Sequence, residues 1–76
     1  MSESRTERDA VLAPFGARLR ELRKARGMTQ TELSEVTGLN RITISKIERG
    51  LEDIGIVRLT RLAASLEVTV ADLLNG

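Results

Sequence analysis

The sequence predicts an all-α domain of five helices, and three observations carry that prediction. Leu, Ala, Arg and Glu are plentiful while Val/Thr-rich alternation is nearly absent. Apolar residues return at helical spacing, i, i+3 or i+4, in one segment after another. Between those segments stand Gly residues and Ser, Thr or Asn capping positions, the punctuation that starts and stops helices.

Residues 1–10 show no apolar periodicity and are expected to form a flexible N-terminal tail, leaving residues 11–76 as the folded domain. Pro14 suits the first turn of the first helix, and Phe15, Leu19 and Leu22 give it one apolar stripe. Arg26 and Gly27 end it, a cation in the last turn and a residue free to adopt the left-handed cap. Thr29, with Glu32 three residues on, reads as a capping box that opens the second helix, with Leu33 and Val36 expected to face inward. Gly38 stops that helix. Asn40 caps the third, which runs to Arg49 with Ile44 and Ile47 inward, and Gly50 closes it. After a loop over 51–55, Ile56, Leu59, Leu62, Ala63 and Leu66 make the broadest apolar stripe of the chain. Thr69 and Asp72 form an acidic version of the capping box at a short fifth helix containing Val70, Leu73 and Leu74.

Composition narrows the function classes. The 76 residues include no Cys and no His, so disulfides, thiolate metal sites and imidazole ligation are excluded. No Gly-rich phosphate loop is present, the carboxylates lack metal-ligand spacing, and no enzyme or cofactor is expected. Phe15 is the one aromatic residue, too little for the stacking platforms that hold single-stranded nucleic acid. No apolar run approaches membrane-spanning length, and the polar N-terminus lacks the core of a signal peptide, so the expected compartment is the cytoplasm. The formal net charge of +1 hides a gradient. Residues 18–50 carry eight cations against four carboxylates, whereas the flanking segments are both net acidic.

Only Thr37, Gly38 and Leu39 join the second and third helices, so the two must meet at a steep angle and the third must project one face outward. Arg41, Ile42, Ser45, Lys46 and Arg49 occupy that face. An α-helix fits the major groove of B-DNA, and these side chains match what the groove displays. Arg41 and Lys46 can donate to guanine O6 and N7, and Ser45 can donate or accept. Ile42 is out of step with Ile44 and Ile47. It is either an ordinary exposed Ile or a small contact with the second helix, or else a group that packs on a thymine methyl.

The run MTQTELSEVTGLNRITISKIERG, residues 28–50, resembles the helix-turn-helix of the XRE/Cro family of transcriptional regulators. The family pattern is T-Q-x-x-L-A-x-x-x-G-(V/L)-x-x-x-x-I-S-x-(W/I/L)-E-x-G, and this chain departs from it mainly by Ser34 where Ala is usual. The likeness extends over roughly residues 15–74 and implies a five-helix lambda repressor-like DNA-binding domain. It implies roles as well. Arg41, Ile42, Ser45 and Lys46 match base-facing positions; Gln30, Asn40, Thr43 and Arg49 match positions that hold the phosphate backbone. Arg23 and Glu48 match an ion pair tying the first helix to the third. One loop departs in charge: Glu52 and Asp53 stand where relatives present basic residues or amides, and are expected to point away from DNA.

One recognition helix reads too few base pairs to address a genome, and family members pair about a two-fold axis on pseudo-palindromic sites. Val68, Val70, Leu73 and Leu74 are more apolar groups than a short fifth helix needs, which makes them the candidate homodimer surface, although Leu73 equally suits the monomer core. The chain resembles small stand-alone regulators such as restriction–modification controller proteins, phage Cro-like repressors and antitoxin-type autoregulators. Expected partners are therefore double-stranded DNA and a second copy, with nucleoid association and no membrane. Contact with RNA polymerase would follow only for an activator. The competing expectation is a protein-interaction module, an antitoxin or adaptor, in which Arg41 and Lys46 would be dispensable.

Overall fold

Five helices and no strand make up residues 5–75, the part of the chain described by this computed structural model. They are α1 (Arg5–Ala25), α2 (Gln30–Thr37), α3 (Arg41–Glu48), α4 (Ile56–Ser65) and α5 (Val70–Asn75). The order and number match the all-α prediction. The first boundary does not. Residues 1–4 of the expected tail lie outside the described residues, but 5–10 are helical, so α1 starts nine residues before Pro14 and holds that proline in its interior. Leu12 explains the extension. It is buried and continues the stripe of Phe15, Leu19 and Leu22 backward by a further turn, giving the added turns an apolar anchor.

Local capping follows the sequence closely. The Thr29 hydroxyl accepts from the Glu32 amide at 3.0 Å, and the Glu32 carboxylate accepts from the Thr29 amide at 2.8 Å. Thr69 and Asp72 repeat the arrangement at α5, both bonds being 3.0 Å. Gly38 takes φ +75°, the left-handed conformation that ends α2 and turns the chain toward α3.

The core is built from Leu19, Leu33, Leu39, Ile44, Ile47, Leu62, Ala63, Leu66 and Leu73, with Phe15, Leu22, Met28, Ile54, Leu59, Val68 and Val70 packed around it. Two expected core residues are outside it. Val36 is 57% exposed because α2 buries an i, i+4 pair, Leu33 and Thr37, and not the i, i+3 pair. Thr37 is accommodated because its hydroxyl donates to the Leu33 carbonyl at 2.7 Å and accepts from the Leu39 amide at 3.2 Å. Ile56 is 78% exposed: it opens α4, ahead of Leu62, Ala63 and Leu66, where that helix is buried. Leu73, offered as part of a dimer surface, is fully buried and closes the monomer core.

Candidate nucleic-acid interface

The site is built on α3. Its buried side is Ile44, Ile47 and Glu48, so at 100° per residue the opposite side is centred near Ile42, Lys46 and Arg49, with Ser45 beside them. Exposure agrees. Ile42, Lys46 and Arg49 are exposed, Ile42 by 57%, while Thr43 and Ser45 are half-buried; Arg41, also exposed, sits at the first position of α3, about 110° from that centre on the flank next to Glu48. The exposure of Ile42 accords with both readings of it. Asn40 caps the helix, its side-chain oxygen accepting from the Ile42 amide at 2.7 Å, which leaves its NH2 group directed by the cap and available to a ligand.

The turn that sets α3 on α2 is held by Ser34. Its hydroxyl donates to the Leu39 carbonyl at 2.5 Å, satisfying a backbone group in the turn that an Ala at this position would leave to other partners. This is the physical content of the main departure from the family's helix-turn-helix pattern.

Behind α3 lies a buried polar knot. Arg23 Nε donates to Glu48 Oε2 at 2.7 Å and Nη2 to Oε1 at 3.0 Å, a forked pair, while Nη1 donates to the Met28 carbonyl at 2.7 Å. Donation to Glu48 holds the Arg23 guanidinium pKa above its ordinary value. Gln30 joins the knot: its Nε2 donates to Glu48 Oε1 at 3.1 Å. A primary amide has two N–H groups, so this bond still leaves one for a phosphate. The pairing of Gln30 with Glu48 had no signal in the sequence, since residues 18 positions apart reveal no register.

Gly16 was also missed. A Cβ there would lie 2.3 Å from the Ile47 carbonyl oxygen and 2.6 Å from that of Glu48, so α1 rests directly on the last turn of α3. A glycine in mid-helix between apolar neighbours was the available signal. The acidic loop is placed as follows. Asp53 Oδ1 accepts from the Ile54 amide at 2.8 Å, Glu52 pairs with Arg58 at 3.5 Å, and both line a recess with Val11, Phe15, Leu59 and Leu74 to which the outer face of α3 contributes nothing. Val68 and Val70 are half-buried against the core, and Leu74 is 57% exposed.

Two short helices joined by a glycine turn, the second projecting a cationic face, define a helix-turn-helix DNA-binding module. The helix-turn-helix family HTH_3 matches residues 19–73, and the chain belongs to that family. It is 41% identical over 64 residues to the HTH-type transcriptional regulator RghRB of Bacillus subtilis, covering 83% of this chain and 46% of that protein. To SinR of Bacillus licheniformis it is 38% identical, covering 80% of this chain and 56% of the relative. This chain therefore spans about half the length of these regulators. Among solved structures, the restriction–modification controller protein C.AhdI of Aeromonas hydrophila superposes with a TM-score of 0.82 at 39% identity, over 84% of this chain and 97% of that one. The clp gene regulator ClgR of Corynebacterium glutamicum gives 0.83 at 31% identity, over 86% and 83%. The protein thus carries a lambda repressor-like, XRE-type helix-turn-helix domain. Among the described residues no helix is long and apolar enough to cross a membrane.

Proposed function

We propose that the protein binds a specific double-stranded operator as a homodimer and regulates transcription there, in the manner of a controller protein or a phage- or plasmid-type repressor. The observation that carries this reading is the outer face of α3. Among the described residues, the side chains of Arg41, Lys46 and Arg49 stand exposed with no hydrogen bond or ion pair, beside an exposed Ile42. Three cations whose side chains lack intramolecular partners, two on one short helix and one at its C-cap, have an electrostatic cost that a polyanion removes.

In this reading α3 lies in the major groove. Arg41 and Lys46 donate to guanine edges, Ser45 exchanges a hydrogen bond with a base, and Ile42 packs on a thymine methyl. Gln30, Asn40, Thr43 and Arg49 hold phosphates on either side and fix the register, carrying little sequence information themselves. The second protomer docks through the exposed side of α5, Leu74 with the accessible parts of Val70 and Val68, giving two recognition helices about one turn of DNA apart.

The test is enrichment of a random-sequence duplex pool on the full chain, followed by sequencing. The reading predicts a two-fold symmetric motif with half-sites about 10 base pairs apart, centre to centre. Recovery of no motif, with retention insensitive to salt, would refute it.

A further inference from the structure

Sorting the basic side chains by what they touch separates two groups. Arg18 pairs with Glu21, Arg23 with Glu48, Arg26 with Glu67 and Arg58 with Glu52, and Arg61 donates to the Thr37 carbonyl. Among the residues whose side chains are described, the cations without a hydrogen bond or ion pair are Arg41, Lys46 and Arg49 on or next to α3, and Arg20 and Lys24 on α1. The family resemblance gave the α1 pair no role.

Their place in the fold gives them one. Arg20 and Lys24, one turn apart and both exposed, border an open recess of about 330 Å³ whose other walls are Ala17, Glu21 and Glu48. Both carboxylates there are already neutralised, Glu21 by Arg18 and Glu48 by Arg23. The recess therefore presents the two free cations. It also adjoins the point where the start of α2 meets the end of α3, because Glu48 accepts from Gln30 and precedes Arg49 in the chain. The two α1 cations thus border Glu48, the residue that precedes Arg49 at the end of α3.

We infer that Arg20 and Lys24 bind backbone phosphates of the same duplex, outside the base pairs that α3 reads, and so extend the interface along one strand. This rests on the operator-binding reading above. The ligand is a run of phosphodiesters, recognised by charge and spacing and not by base. Arg20 and Lys24 are on the solvent side of α1, so removing their charge does not touch the core.

The experiment is a fluorescence-anisotropy titration of a random-sequence duplex of about 25 base pairs, and of the enriched site, from about 50 to about 200 mM salt. The proteins are wild type, R20Q, K24Q, R20Q/K24Q and R26Q. Each phosphate contact contributes about 0.9 to the slope of log affinity against log salt, so the double variant should be shallower by about 1.8. Across that range it should lose roughly tenfold less affinity than wild type does. Both duplexes should be affected alike, and R26Q, which removes an ion-paired cation of the same charge, should match wild type. A wild-type slope in R20Q/K24Q overturns the inference while leaving the operator-binding reading intact. An equal drop per charge in R26Q also overturns it, by assigning the effect to net charge. Failure of wild type itself to bind either duplex in a salt-dependent way refutes the parent reading instead.

Discussion

Glu48 is the residue on which most of the site depends, since one carboxylate receives Arg23 from α1 and Gln30 from α2 while belonging to α3. Replacing it by Ala leaves a guanidinium that is only 7% exposed without its counter-charge. Breaking a buried pair in this way costs about 3–5 kcal/mol, so E48A should lose most of the stability of so small a domain in urea unfolding. An apolar pair of similar volume avoids the orphaned charge, and R23M/E48M should unfold at higher urea than E48A. Asp72 differs because it lies at the surface. Hydrogen bonds from the Thr69 backbone, and then from its side chain, hold its carboxyl below the ordinary value. A lowered folded pKa gives a contribution that is complete above the unfolded value and disappears as pH falls through the folded one. The difference in melting temperature between wild type and D72N should therefore be constant from neutral pH to about pH 4 and shrink below it.

How the helices lie on one another was only partly legible. Capping boxes at Thr29 and Thr69 are local, made by residues three apart, and the sequence displayed them completely. The start of α1 was hidden because Pro14 imitates a first-turn proline, whereas burial of Leu12 is a tertiary fact. Val36 and Ile56 were misplaced for a related reason: apolar spacing locates a stripe but not which of its edge positions a neighbouring helix covers. On α3 the same spacing succeeded, since Ile44 and Ile47 fix the inner side and leave the outer one by subtraction. Gly16 marks the contact that spacing cannot show. By helix propensity alone, G16A should stabilise α1 by about 1 kcal/mol. The carbonyls of Ile47 and Glu48 decide otherwise, and G16A should instead destabilise by about 1–3 kcal/mol, measured by urea unfolding.

At the scale of the whole molecule, the proposed homodimer rests on α5. The fifth helix divides its apolar residues cleanly: Leu73 inside, Leu74 outside. L74E should yield a monomer in sedimentation equilibrium with a melting temperature near that of wild type, whereas L73A should lose about 2–5 kcal/mol of stability. A dimer that persists in L74E would place the interface elsewhere. Charge is likewise distributed and not summed. A net charge of +1 looks unsuited to DNA, yet among the described side chains the cations that lack internal partners collect on or next to α3 and on α1.

The central claim is that the outer face of α3 reads bases, and the most direct measurement is the base-by-base binding profile of R41A beside wild type on the enriched operator. Loss of one bidentate guanine contact should cost about 1–3 kcal/mol and flatten the preference at a single position of each half-site, with the other positions unchanged. A profile identical to that of wild type, or a uniform fall in affinity at every position, would contradict the assignment of Arg41 to the reading face.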